Sequence, residues 1–149
     1  MTGKANVWAR QRARRALLQA VYQWQVSAPE LAALKADFRD GDALKKADVE
    51  LFDELLGKVV RQSEQLDAAF AELLDRRVSD LDHIEHAILR LAAAEFTYRI
   101  DIPYRVVINE YVELAKTFGA TDSYKYINGV LDKLAARLRT IEVEAAARG

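Results

Sequence analysis

The stretch ARQRARRALLQAVYQWQVS, residues 9–27, decides the fold class and raises the question of function. Its apolar side chains recur at steps of three and four residues, as in an amphipathic α-helix. The stripe consists of Leu17, Leu18, Val21 and Trp24, with Tyr22 as a further candidate. Four arginines precede the stripe within six residues, and the first fifteen residues contain no acid. The sequence therefore predicts a helix that begins with unbalanced positive charge.

The four arginines are distributed around the predicted helix. Arg10 and Arg14 fall on the face that carries the apolar stripe, whereas Arg12 and Arg15 point elsewhere. We therefore expect an arm, residues 1–15, whose first turns do not pack on the core and which includes Lys4. Arginine suits phosphate because its guanidinium group donates two parallel hydrogen bonds, and it also stacks on bases. The arm therefore favours a nucleic-acid partner.

The rest of the chain is predicted to be helical, with no convincing strand. Prolines, glycines and capping side chains mark the boundaries, at Pro29, Gly41, Asp48, Ser63, Asp82, Pro103, Gly119 and Asp122. Asp82 and Glu85 have the spacing of a capping box, and Gly119 is expected to end its helix in the left-handed conformation. The prediction is a single all-α domain over residues 1–149, with six or seven helices and a polar tail at 141–149.

The composition is that of a globular protein without disulfide or thiolate chemistry. Hydrophobic residues make up 51% and charged residues 30%, and there is no cysteine. No apolar run approaches the roughly 20 residues that span a bilayer, so a cytoplasmic protein is predicted. An acid-free, Arg-rich N-terminus is also typical of organelle transit peptides, but here it continues without a break into the amphipathic helix.

The sequence predicts no catalysis, no cofactor and no metal site. His83 and His86 flank Glu85 on a helix, which is at most half of a metal site, and ordinary solvated histidines are expected. Gly-rich phosphate loops and nucleophile-elbow motifs do not occur in the sequence. The acidic pair Asp80 and Asp82 is explained by its place at a helix start. The chain is therefore predicted not to be an enzyme.

A second candidate surface lies in GATDSYKYINGVLDK, residues 119–133. On a helical wheel, Asp122, Tyr126, Gly129 and Lys133 share the side opposite the leucine stripe. A mid-helix glycine away from the core indicates that something approaches the backbone there, and close packing within the fold is at least as good an explanation as a partner. An aromatic residue beside a cation, Tyr126 beside Lys125, suits the stacking of single-stranded bases.

Three segments together resemble the NusB family of transcription antitermination factors. They are RQRARRALLQAVYQW at 10–24, IPYRVVINEYVELAKTFG at 102–119 and TDSYKYINGVLDKLA at 121–135. The resemblance implies two perpendicular three-helix bundles, at about 9–76 and 80–140, and no enzymatic activity. It also implies that the protein, paired with the ribosomal protein NusE, binds the single-stranded boxA element of ribosomal leader RNA and works with other Nus factors in the elongation complex. Some members of the family form homodimers.

The resemblance also implies site residues. The RNA-binding set comprises Arg10, Arg12, Arg14, Arg15, Tyr22, Phe118, Lys125 and Tyr126, and the set for the protein partner comprises Glu85 and Asp122. The chain departs from the pattern where Gln11 replaces an arginine of some members and Arg15 replaces an acid. Tyr126 stands where phenylalanine is common, which keeps the stacking face.

Two other functional classes remain as alternatives. One is a helical adaptor or self-associating scaffold that does not contact RNA. The other is an enzyme module, because certain ribosomal RNA cytosine methyltransferases carry a NusB-like N-terminal part. The length of 149 residues is expected to leave no room for a cofactor-binding domain.

Overall fold

The computed structural model describes the backbone of residues 4–149 and the side chains from Asn6 onward, so residues 1–3 and the Lys4 side chain of the predicted arm lie outside the described part. Eight α-helices occur in this part: α1 (Lys4–Ser27), α2 (Leu31–Asp40), α3 (Val49–Arg61), α4 (Ser63–Phe70), α5 (His83–Tyr98), α6 (Tyr104–Phe118), α7 (Ser123–Leu138) and α8 (Thr140–Arg148). Two short 3₁₀-helices, Ala71–Leu73 and Val78–Asp80, lie between α4 and α5. No strand occurs between residues 4 and 149, and the all-α prediction is confirmed.

The number of helices exceeds the six or seven predicted, because the expected polar tail is helical. Helix α8 covers all but the last residue of that segment, and its alanine, glutamate and arginine residues have high helix propensity. The break predicted near Ser63 is confirmed, since Gln62 alone separates α3 from α4. Among the described residues, no helix combines the length and apolar character needed to cross a membrane.

The first compact unit ends at Gln62 and contains α1, α2 and α3. Helix α1 packs along α3, and the Phe38 ring of α2 meets the Phe52 ring of α3 with centroids 5.4 Å apart. Asp48 caps α3 as predicted, because its carboxylate accepts a hydrogen bond from the Leu51 N–H at 3.0 Å. The core of this unit includes Leu17, Val21, Leu34, Phe38, Leu51, Phe52, Leu55, Leu56 and Val59.

The second compact unit begins at Ser63 and contains α4 to α8. Helix α5 packs against α4, α6 and α7, and its buried run includes three consecutive alanines, residues 92–94, which allow close approach. The predicted capping box at its start is confirmed: Asp82 accepts from the Glu85 N–H at 2.8 Å, and Glu85 accepts from the Asp82 N–H at 3.3 Å. The boundary at Gln62 lies ahead of residue 76, where the resemblance ends the first bundle.

Gly119 follows α6, but not in the predicted left-handed conformation. Its φ is −83° and its ψ is 171°, which is extended backbone, so that prediction is wrong. Glycine is needed for space instead, because a Cβ atom there would lie 2.7 Å from the Ala115 carbonyl oxygen. In the connection between α6 and α7, Asp122 is left-handed with a φ of 64°, and aspartate tolerates this conformation better than most residues.

A buried arginine holds the ends of several helices in the second unit together. The Arg139 guanidinium group donates to the carbonyl oxygens of Phe96 at 2.7 Å, Arg99 at 2.9 Å and Glu95 at 3.3 Å, at the C-terminal end of α5. It also pairs with the Glu142 carboxylate at 2.6 Å. The second oxygen of that carboxylate accepts from the Tyr104 N–H at 2.9 Å, at the start of α6. The Phe96 carbonyl and the Tyr104 N–H thereby gain partners that a helix end does not provide, whereas the Glu95 and Arg99 carbonyl oxygens also accept from backbone N–H groups.

Candidate nucleic-acid interface

The inner arginines of α1 are packed, which corrects the expectation that the first turns stand clear of the core. Arg14 is buried with 2% of its surface exposed, and Ala13 beside it is fully buried. The Arg10 guanidinium Nε lies 3.9 Å from a carboxylate oxygen of Asp48, and the Asp48 N–H donates to the Ala9 carbonyl oxygen at 2.9 Å. Arg10 therefore has a partner within its own chain.

The outer arginines of α1 are exposed, as expected. Arg12 and Arg15 are exposed, and Tyr22 lies seven residues after Arg15, about two helical turns further along the same face, with 40% of its surface exposed. Helix α1 contains no acidic residue. Of the sequence-predicted RNA-binding residues, these three share one accessible face within the first unit.

Phe118 and Lys125 are exposed at the predicted surface of the second unit. Phe118, the last residue of α6, has 43% of its surface exposed. The Lys125 ammonium lies 3.4 Å from the Asp122 carboxylate and 6.0 Å from the ring centre of Tyr124. The Lys116 ammonium lies 5.2 Å from the same ring. The structure thus brings together two lysines around one aromatic ring, a cluster that the sequence reasoning missed because it singled out Tyr126.

One face of Tyr126 is occupied by another residue of the second unit. The Arg76 guanidinium carbon lies 4.1 Å from the ring centre of Tyr126, a cation–π contact. Arg76 also donates to Asp75 at 2.7 Å, and this hydrogen bond lowers the pKa of the Asp75 carboxyl. Burial raises the pKa of the Tyr126 hydroxyl. Stacking of a base on Tyr126 stays a prediction, and it is restricted to the opposite ring face unless Arg76 moves.

The acidic residues predicted to bind a protein partner differ in accessibility. Asp122 is exposed, whereas Glu85 is buried. One Glu85 oxygen accepts from the Asp82 N–H at 3.3 Å and the other from the Ser123 hydroxyl at 2.9 Å. Glu85 therefore joins the start of α5 to the start of α7, and it would have to leave these bonds to reach a partner.

Gly129 lies in open space on an exposed face of α7. No heavy atom of the described residues lies within 4 Å of the position that its Cβ would occupy. Close packing within the fold is therefore the wrong explanation for this glycine.

His86 is not the solvated side chain that the sequence predicted. Its Nε2 lies 2.8 Å from Oδ1 of Asp67, and Arg90 donates two hydrogen bonds to the same carboxylate at 2.9 and 2.8 Å. His83 is exposed as expected. Burial raises the pKa of Asp67, but the hydrogen bonds and positive charges of His86 and Arg90 outweigh burial, so the pKa is lowered from its usual value of 3.8.

The Asp67 carboxylate is expected to make stability depend on acidity. Its pKa is lower in the folded protein than in the unfolded chain, so its contribution is present above the usual pKa of 3.8 and is lost as the pH falls through the folded-state pKa. Urea unfolding of the parent protein and of Asp67→Asn, measured from pH 7 down to pH 3, should give free energies of unfolding that converge toward acid pH. A difference that stays constant with pH would contradict the prediction.

The chain is similar to known proteins over nearly its whole length. A model of the NusB family matches residues 11–136. A relative from Alcanivorax borkumensis, called transcription antitermination protein NusB, is 52% identical over 142 residues, which cover 95% of each chain. A relative of the same description from Paraburkholderia phymatum is 51% identical over 140 residues, covering 94% of this chain and 97% of the relative. The solved structure of T. maritima NusB is 25% identical with a TM-score of 0.75, covering 91% of this chain and 92% of that one.

Proposed function

Since the chain belongs to the NusB family of transcription antitermination proteins, we propose that it binds single-stranded, boxA-like leader RNA of ribosomal operons together with ribosomal protein NusE. In this proposal it acts in the cytoplasm with other Nus factors of the elongation complex, and it catalyses no reaction. The perpendicular arrangement of two three-helix bundles, which the resemblance implies, stays a prediction.

The outer face of α1 is the observation that carries the RNA-binding part of the proposal. Arg12 and Arg15 are exposed there with Tyr22, and α1 itself contains no acidic residue. Arginine pairs with phosphate, and an exposed aromatic ring offers a stacking surface to an unpaired base. Cations with an aromatic residue on one accessible face are the combination that single-stranded RNA requires.

The charge distribution supports a basic protein partner. All 23 acidic residues of the chain lie after residue 29, so they are found outside α1. An acidic surface attracts a basic ribosomal protein and repels nonspecific duplex. Of the two acids expected at the partner contact, Asp122 is the accessible one.

The proposed RNA contact predicts a specific change in salt dependence. Each phosphate contact on a single strand contributes about 0.7 to the slope of log K against log salt concentration. Replacing Arg12 and Arg15 together by alanine should therefore reduce the slope by about 1.4 and weaken binding. Fluorescence anisotropy of a labelled 12-nucleotide boxA-like RNA, with the NusE-type ribosomal protein present, would measure both quantities.

Arg148→Ala is the matched control, because it removes an exposed arginine of α8. It should leave the slope unchanged. If the Arg12 and Arg15 double variant keeps the parent slope, these residues do not contact phosphate. If boxA-like RNA competes no better than a scrambled sequence, the helical adaptor or homodimeric scaffold is favoured, and sedimentation equilibrium would then measure self-association.

A further inference from the structure

One face of α1 is exposed along most of the helix. Side chains that follow one another at alternating steps of four and three residues share this face, and they are Trp8, Arg12, Arg15, Gln19, Tyr22 and Val26. All six are exposed, and the two ends of the face, Trp8 and Val26, expose 54% and 55% of their surfaces. At 1.5 Å per residue the face is about 27 Å long.

Trp8 has the largest apolar side chain on this face. An indole ring offers the largest apolar area of any residue, so exposing half of it forgoes stability that burial would provide. Trp8 lies one helical turn before Arg12, which places an aromatic ring and a guanidinium group side by side on the surface. It also lies outside residues 11–136, the part of the chain that the family model matches.

The order of residue types along the face distinguishes between possible binding partners. A partner helix or a lipid surface needs apolar side chains at successive turns. Here two arginines and Gln19 separate Trp8 from Tyr22, and α1 contains no acid. An aromatic ring at one end, cations beside it and a second aromatic ring further along suit a chain that alternates phosphates with unpaired bases.

We propose that Trp8 is a base-stacking residue and that the single-stranded RNA runs along this face of α1 from Trp8 to Tyr22. One base stacks on the Trp8 indole, Arg12 and Arg15 contact the adjoining phosphates, and a second base stacks on Tyr22. This inference rests on the proposed function, to which it adds a residue and the path of the strand.

The test compares Trp8→Ala with Val26→Ala, an equally exposed residue at the other end of the same face. Loss of one stacked base should weaken binding of the 12-nucleotide RNA, measured with the ribosomal protein present, by about 5- to 150-fold. The slope of log K against log salt should not change, because no charge is removed. Val26→Ala should change the affinity less than twofold, and the melting temperatures of both variants should match that of the parent.

Tryptophan fluorescence provides an independent readout, because the chain has two tryptophans. Trp8→Phe leaves Trp24 as the only indole, so quenching by RNA seen in the parent should be lost while affinity is largely kept. Parent affinity in Trp8→Ala would overturn the stacking role and leave the proposed function intact. An absence of RNA binding by the parent with its partner would overturn both. A Trp8 signal that responds to lipid vesicles or to protein concentration, and not to RNA, would also overturn the inference.

Discussion

Replacing Arg139 by alanine should lower the free energy of unfolding by about 2–4 kcal/mol, because it removes a buried guanidinium group and the hydrogen bonds that it donates. The guanidinium group is buried and bonds to three carbonyl oxygens as well as to Glu142. Without it, the Phe96 carbonyl oxygen loses its donor, and the carbonyl oxygens of Glu95 and Arg99 keep only their backbone donors. Urea denaturation followed by circular dichroism would measure the loss.

Two further variants separate the geometry of Arg139 from its charge. Arg139→Lys keeps the charge but not the planar fork of donors, so it should recover only part of the stability. Arg137→Ala removes an exposed arginine two residues earlier, which reaches Glu72 at 3.4 Å, and should cost less than about 1 kcal/mol. Equal effects of the alanine substitutions at positions 137 and 139 would show that the buried bonds contribute little.

Alanine substitution is expected to reduce mainly stability at Arg14 and mainly RNA affinity at Arg12. Arg14→Ala should lower the free energy of unfolding by about 2–3 kcal/mol, since it removes a buried polar group together with its packed aliphatic stem. Arg12→Ala should change it by less than about 0.5 kcal/mol, because the side chain is exposed, and should instead weaken RNA binding. Thermal unfolding and RNA anisotropy on both variants would measure the two effects.

The opposite pattern would restore the view that all the arginines of α1 belong to a projecting arm. That outcome is a fully stable Arg14→Ala variant whose RNA affinity falls as much as that of Arg12→Ala.

Local signals in the sequence were sufficient for most helix boundaries. The capping box of Asp82 and Glu85 and the cap at Asp48 depend on residues three positions apart, so a single sequence contains all the necessary information. Gly119 was assigned the right position but the wrong conformation, because glycine serves both left-handed turns and close approaches of the backbone.

Contacts between residues distant in sequence account for most of what was missed. Arg10 meets Asp48, and His86 meets Asp67, across separations that helical periodicity does not describe. Helical periodicity correctly places Arg14 on the side of α1 that carries the apolar stripe. Because arginine is charged, this side was expected to be exposed to solvent at Arg14. Helical periodicity could not show that the long Arg14 side chain is buried in the interior.

The accessibility of the predicted site residues could be foreseen only in part, for the same reason. Exposure of Arg12 and Arg15 follows from the single helix α1, and the structure agrees with that expectation. Tyr22, a candidate for the apolar stripe, is exposed as well. The cation–π contact of Arg76 with one face of the Tyr126 ring could not be foreseen, because the two residues are 50 positions apart in sequence and no local signal joins them.

Gly129 has a thermodynamic consequence for α7. A methyl group would meet no obstacle at this position, and alanine would favour the helix by about 1 kcal/mol, so the free protein is less stable than its own backbone permits. Natural proteins are rarely at their stability optimum, and lost function is a recurrent cost of stabilising substitutions. On this helix the bare backbone leaves room for another molecule to come nearer to the helix axis than any side chain would allow.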